Sequence, residues 1–488
     1  MAEDVRLGTA RGRWVLLATV LGSSMALLDS TVVNVALPTI GRDLDAELAG
    51  LQWTVNAYLV TLAGLILVGG ALGDRYGRRR VFVLGVVWFA AGSLLCGLAP
   101  SIGVLVAARA LQGVGGALLT PGSLALIQAS LHRDDRARAV GLWSGFGGVG
   151  AAVGPFLGGW LVDGPGWRWV FLINVPVAAL CTAVSVRHVP ESRDPAAHGR
   201  FDVLGAALGA VSLALLTYAL IEAAQATAAV VAAGAAGLGS AVAFWWVERR
   251  RPNAMLPPDI FASRQFTAVN LVTLCVYAAF GGFFFLAVLQ LQVVVGYSAL
   301  GAGAALLPTT ALMLLFSSRA GALGERIGPR LPLTVGPLLC AAGMLLMVRT
   351  GPGASYAQDV LPAMLTLGLG MVTLVAPLTA TVLASVDPGR AGLASGINNA
   401  AARAAGLIAV AALPLLAGMG PEAYRSATAF DAAFGRAMAW CAGLLVVGAV
   451  TAWTTVRTAP EHRCHPECRV HGSVAVPPLE SPREGDAG

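Results

Sequence analysis

The stretch Gly70–Arg80, GALGDRYGRRR, lies between two long apolar runs. It holds an acid and four arginines among glycines within eleven positions. Ionised side chains are costly in hydrocarbon, so this segment forms a tight polar turn at a membrane surface. The turn recurs at Gly321–Arg330, GALGERIGPR, with seven of ten positions identical at an offset of 251 residues. Self-similarity at a fixed distance marks two related halves.

Composition agrees with a chain that lives in a bilayer. Of 488 residues 57% are hydrophobic and 12% charged, against about 25% charged in an ordinary soluble domain. All 32 basic residues are arginine. Without lysine there is no lysine-dependent phosphate loop and hence no ATPase cassette; HExxH and GxSxG sequences are missing as well. The net charge of +6 needs no nucleic-acid partner, because cytoplasmic loops of membrane proteins are rich in basic residues. Cys96, Cys181, Cys275, Cys340 and Cys441 lie in apolar runs, where thiols act as small hydrophobes, and no disulfides are expected.

A membrane span needs about 20 predominantly apolar residues. Fourteen helices are predicted, at 14–36, 51–72, 81–99, 103–128, 138–162, 169–187, 203–221, 227–247, 267–292, 301–322, 332–349, 359–384, 396–416 and 434–456. With both termini cytoplasmic, Arg42, Arg168, Arg349, Arg425 and Arg436 fall on the far side, Arg109 and Arg403 fall within spans, and every other arginine is cytoplasmic. That asymmetry supports the count and the orientation together. The same 251-residue offset relates Gly141, Leu142, Ser144 and Gly145 to Gly392, Leu393, Ser395 and Gly396. The expected organisation is a tail (1–13), a six-helix bundle (14–188), an inserted helix pair with its flanking loops (189–264), a second six-helix bundle (265–457) and a disordered tail (458–488). The class is thus an all-α polytopic membrane protein, and parallel repeats of this kind place a substrate pathway between them.

At this point the residues resemble the major facilitator superfamily, and within it the fourteen-helix drug:proton antiporters. Gly70, Leu72, Asp74, Arg75, Gly77, Arg78 and Arg79 match the signature loop between helices 2 and 3. Leu28–Pro38, LDSTVVNVALP, looks like the helix 1 motif of the group. Arg109, Gln112 and Gly113, within RALQGVGGALLTPG, are similar to the arginine motif of helix 4. Gly150, Gly154, Pro155, Gly158 and Gly159 follow the antiporter pattern of helix 5, and WRWVFLINVP at 167–176 is also family-like. The resemblance covers nearly the whole chain. It implies a monomeric transporter in a bacterial cell membrane, with protons as the coupling ion and no other cofactor.

Intramembrane ionisable groups mark ion pathways. Asp29, in the second half of helix 1, is therefore the candidate proton carrier, with Glu222 at the end of helix 7 as a second acid. Arg109, with Gln112 and Gly113 on the same face of helix 4, needs an acceptor when buried. Its likeness to the family arginine implies a part in proton coupling. On helix 5, Gly147, Gly150, Gly154 and Gly158 allow close helix approach and Pro155 bends the helix, which the resemblance ties to gating. It also implies a charge latch built from Gly70, Asp74, Arg75, Gly77 and Arg78, broken and remade as the halves rock.

Candidates to line a substrate pocket are Asn34, Gln52, Trp53, Asn56, Tyr58, Gln112, Phe284, Gln290, Asn398 and Arg403, together with Phe283, Phe285 and Met371. Their aromatic rings are suited to cation-π contacts. The tail sequence HRCHPECRVH matches no standard metal-site spacing, and no metal is expected. The predicted activity is proton-driven export of small hydrophobic or cationic compounds, such as drugs, dyes or antibiotics, by alternating access. The alternative is an exporter dedicated to one endogenous metabolite or self-made antibiotic.

Overall fold

A computed structural model describes residues 5–193, 202–251, 256–387, 390–420 and 426–457. The Cys/His run of the tail, Gly147 and the side chain of Glu325 lie outside the described residues. Apart from an isolated bridge between Val5 and Leu131, the described residues form helices: α1 (Ala10–Asp43), α2 (Leu48–Tyr76), α3 (Arg78–Gly97), α4 (Ile102–Ser130), α5 (Arg133–Asp163), α6 (Trp169–Leu172), α7 (Asn174–His188), α8 (Val203–Ile221), α9 (Ala228–Arg250), α10 (Arg264–Leu289), α11 (Ala299–Ala305), α12 (Leu307–Ile327), α13 (Arg330–Leu346), α14 (Leu361–Ala384), α15 (Ala391–Leu416) and α16 (Ala427–Thr455). With α6–α7 and α11–α12 each counted as one span, thirteen segments among the described residues are long and apolar enough to cross a membrane. The 31-residue α5 packs along α1 and completes the expected fourteen.

Polar side chains start the helices where hydrocarbon gives way to water. Thr9, Ser101, Asp202, Thr227, Ser263, Ser298 and Ser426 each accept a hydrogen bond from a first-turn N–H of the helix that follows, satisfying donors the helix leaves orphaned. Large apolar side chains face outward along the spans, as at Val231, Val242 and Leu98. A lipid surround solvates that surface, whereas water would not.

The duplication is visible in the packing. The α2–α3 turn pivots on Gly77 at φ +117° and the α12–α13 turn on Gly328 at φ +80°, each in the left-handed range that glycine tolerates. The α3–α4 contact of the first half recurs as α13–α14, and α1–α5 recurs as α10–α15. Gly85 and Gly92 press α3 against α4, and their counterparts Gly336 and Gly343 press α13 against α14. In both halves the absence of a side chain lets backbones touch, which is how helices pack in lipid. The five thiols described, Cys96, Cys181, Cys275, Cys340 and Cys441, are all free and buried within these bundles.

The halves meet at one end. Gln52 on α2 donates to the Val410 carbonyl of α15 at 2.7 Å, Gln292 donates to Val35 of α1 at 2.9 Å, and Asp163 at the end of α5 accepts from Leu300 N at 2.8 Å. Toward the opposite end they separate around a cavity of about 700 Å³ lined by α1, α5, α10, α12 and α14. The inserted pair α8–α9 is not peripheral to the bundles, as α8 packs against both α2 and α15. Between this pair and the halves lies a second cavity of about 460 Å³. Outside the spans, Asp259 accepts from Arg390. That hydrogen bond lowers the Asp259 carboxyl below its usual pKa, so the tie holds at neutral pH and weakens as acid protonates the group.

A side chain at Gly115 would meet Phe89 N at 2.4 Å, whereas Gly239 on α9 has nothing within 4 Å. Gly115→Val should therefore cost about 1–3 kcal/mol by overpacking. Thermal unfolding of the detergent-solubilised protein should show a clear drop in midpoint for Gly115→Val and none for Gly239→Ala.

Candidate functional site

Asp29 and Arg109 come together in the middle of the first half. Both side chains are fully buried, and Arg109 Nη1 lies 2.5 Å from Asp29 Oδ2. Arg109 Nε also donates to the Thr54 carbonyl at 2.9 Å, and Nη1 to Gln112 Oε1 at 2.5 Å. The guanidinium lies over the Tyr58 ring at 4.4 Å. On the acid, Oδ1 accepts from Gln112 Nε2 at 2.7 Å and from Asn174 Nδ2 at 3.3 Å. Ser93 Oγ closes the network, accepting from Gln112 at 2.7 Å and from Asn174 at 3.2 Å. Helix geometry explains the meeting: Arg109 and Gln112 are three residues apart and share one face of α4, which packs on α1, α2 and α3.

Both carboxylate oxygens of Asp29 are used, and the pair is neutral as a unit. That is what low-dielectric surroundings require, because an unpaired buried charge carries its full desolvation cost. The arrangement therefore ties α1 to α4 through a charged pair.

Other predicted residues divide into cavity wall and cross-ties. Asn34, Thr31 and Val35 of α1, Pro155 of α5, Phe284 of α10 and Met371 of α14 line the larger cavity. Phe283 and Phe285 are instead buried in the apolar core. Gln52 is committed to the Val410 carbonyl. Trp53 Nε1 donates to Glu222 at 3.1 Å, so Glu222 fastens the end of α8 to α2. Gln290 donates to the Thr350 carbonyl and to Asp431, and Asn398 to Thr273 Oγ1 and Asn270 Oδ1. Asn56 is fully buried with neither amide atom partnered among the described residues. Tyr58 sits against Arg109 and is also an electrostatic neighbour of the half-buried Arg403.

The small residues of helix 5 lie close against α1. A side chain at Gly154 would strike Thr31 Oγ1 at 2.0 Å and one at Gly158 would strike Val32 at 3.0 Å, while Gly150 faces Ser24. Against the other half, Gly303 of α11 lies on the Pro155 carbonyl and Gly159 on Leu300. The polar turn is stitched within its own half. Asp74 Oδ1 accepts from Arg78 Nε at 2.8 Å, Glu191 accepts from Arg79 N at 3.0 Å, and Arg78 N donates to Ser192 O at 2.9 Å. Gly70 faces Pro121, and the Arg75 guanidinium lies over the Tyr76 ring. Among the described residues the loop residues Asp74 and Arg78 pair with each other and not across the halves.

Sequence reasoning did not single out Ser93, Asn174, Asp163 or Glu191. Ser93 and Asn174 had a usable signal, as lone polar residues inside apolar runs. Asp163 and Glu191 had none, since both sit at the ends of spans where acids are commonplace. Among the described residues no cluster of metal-binding side chains occurs.

Residues 19–204 and 182–410 match the family model of the Major Facilitator Superfamily. The chain is 36% identical over 468 residues to the puromycin resistance protein pur8 of Streptomyces alboniger, covering 92% of each. It is 38% identical over 391 residues to the multidrug resistance protein Stp of Mycobacterium tuberculosis, covering 79% of this chain and 72% of that one. Among solved structures, a bacterial homologue of the human lysosomal transporter Spinster, in an inward-facing and unoccupied conformation, superposes with a TM-score of 0.67 at 18% identity, covering 92% of this chain and 98% of that one.

Two outcomes test the site. Asn174→Leu leaves Ser93 and Asp29 short of a donor and should destabilise the protein by about 1–3 kcal/mol, read as a lower unfolding midpoint in detergent. Asp74→Ala should reduce transport at matched expression far more than Glu325→Ala, because the second loop carries Pro329 and Leu331 where the first has Arg78 and Arg80; equal losses would contradict an asymmetric loop function.

Proposed function

Since the chain belongs to the major facilitator superfamily, a family of membrane transporters, we propose that it exports small hydrophobic compounds, such as drugs, dyes or antibiotics, in exchange for protons. The observation that carries this reading is the buried Asp29–Arg109 pair, whose acid lies in α1 two and five residues before Thr31 and Asn34 of the substrate-sized cavity wall. α1 thus belongs to both the ionisable centre and the cavity.

In the proposed cycle, Asp29 gains a proton from the outside, substrate leaves there, and the proton departs inward as the next substrate enters. Protonation frees Arg109, whose guanidinium packs on Tyr58 of α2. α2 is also the helix tied to α15 through Gln52, so the change reaches the contact between halves. Glu222, held by Trp53 of α2, is a second acid on that helix contact. The close glycine packing of α5 on α1 and α11 seals the pathway against leak. With both termini in the cytoplasm of a bacterial cell, the larger cavity opens inward. The driving force suffices: about 2.3 kcal/mol per charge at 100 mV, at 1.4 kcal/mol per tenfold, sustains a gradient of roughly 40-fold.

A narrower reading, export of a single self-made antibiotic, draws support from the puromycin resistance relative. Breadth of inhibition across a panel of dyes, biocides and antibiotics separates the two. For the central proposal, Asp29→Asn in proteoliposomes should abolish uphill export under an imposed pH gradient while leaving downhill exchange measurable. Uphill movement by that variant would show that the coupling proton is carried elsewhere.

A further inference from the structure

Arg403, like Arg109, lies inside a span, and unlike Arg109 it has no acceptor among the described residues. Among the described residues Arg403 makes no hydrogen bond and no ion pair; its electrostatic neighbours are Tyr58 of α2 and Tyr277 of α10. The intramembrane acid Asp29 is already engaged by Arg109, Gln112 and Asn174. Glu222 is held at the end of α8 by Trp53 and Gln225, and Asp431 near the start of α16 by Gln290. The centre of the molecule therefore carries one positive charge beyond balance among the described residues.

A second, independent orphan lies on the facing helix. Asn56 is completely buried with both amide atoms unpartnered. It follows Gln52 by four residues and so shares its face of α2, the face that Gln52 ties to Val410 and Ala411 of α15. Arg403 lies two turns before Val410 on that antiparallel neighbour.

The position suits a ligand passing between the halves. On α10, Asn270 and Leu274 line the smaller cavity while Phe284 and Val288 line the larger. Tyr277 falls between them on the same stripe by helical spacing. Ala400, Ala401 and Ala404, flanking Arg403, line the smaller cavity. Arg403 is itself partly buried behind these positions, beside Tyr58 and Tyr277, in a wall that is otherwise mostly apolar.

We propose that Arg403 is a substrate anchor for an anionic group, so that this transporter selects amphipathic organic acids, carrying a carboxylate or phenolate beside an apolar ring system, over lipophilic cations. A planar guanidinium binds a carboxylate in a bidentate manner, and Asn56 offers an amide donor from the opposite half. A cationic compound would bring a second positive charge to a site that already has an unbalanced one, which costs rather than gains free energy. The inference rests on the export reading and revises the cationic substrates expected from the sequence.

Two dyes with one xanthene skeleton test it: fluorescein, an anion at pH 7.5, and rhodamine 123, a cation whose benzoate is a methyl ester. Fluorescence polarisation with the purified full-length protein in neutral detergent should show fluorescein binding at least tenfold tighter. Arg403→Gln should erase that preference, and Arg403→Lys should keep part of it. The comparison of dyes on the wild type stands even if a variant fails to fold. Equal binding, tighter binding of rhodamine 123 or binding of neither dye would overturn the proposal. Displacement of fluorescein by added phosphatidylglycerol would assign Arg403 to a lipid phosphate and overturn it too. Pumping of rhodamine 123 by proteoliposomes under a pH gradient, unchanged in Arg403→Gln, would refute this selectivity and leave proton-driven export intact; movement of neither dye would count against both.

Discussion

The structure depends on how a charged pair is kept in the middle of a helical bundle. Asp29 and Arg109 lie on different helices, fully buried, 2.5 Å apart, where either one alone would carry a heavy desolvation cost. Meeting that constraint takes five further groups: Gln112, Asn174, Ser93, the Thr54 carbonyl and the Tyr58 ring. Between them they draw α1, α2, α3, α4 and α7 onto one polar centre. A network this complete specifies the packing of its half, because any rotation of one helix would leave a buried polar atom unpaired.

Around this centre the two halves share a scaffold and differ in chemistry. Glycine-mediated contacts repeat at the 251-residue offset, Gly85 with Gly336 and Gly92 with Gly343. The charged centre does not repeat. Where the first half encloses a balanced ion pair, the second places Arg403 beside Tyr58 of the first half, without an acceptor among the described residues. Duplication supplied two similar bundles, and one became the seat of an internal ion pair.

The contacts between halves are also unequal. At one end they are close and directional, with Gln52, Gln292 and Asp163 each bonding a backbone group across the gap. Backbone partners suit a contact that must form and break, because they demand position and leave no charge stranded. At the other end the halves part around the cavity, and α8–α9 bridges α2 and α15 along one side.

Hydrocarbon makes sequence unusually legible: every polar residue inside a span is conspicuous, and every turn between spans is polar. The fourteen helices, the duplication, and the intramembrane positions of Asp29 and Arg109 follow from that alone. Span ends moved outward, as α1 runs from Ala10 to Asp43, because helices continue past the apolar boundary until a cap or glycine stops them. What only the tertiary structure decided was partnership. Gln52 and Trp53 read as pocket residues and are ties between helices. Asn174 and Ser93 receive no role from the sequence and complete the ion pair's network. Asp74 reads as a latch and here bonds its own loop. These outcomes depend on the rotation of each helix about its axis. In spans that are apolar nearly all the way round, periodicity says little about that rotation, and close packing with specific neighbours sets it instead.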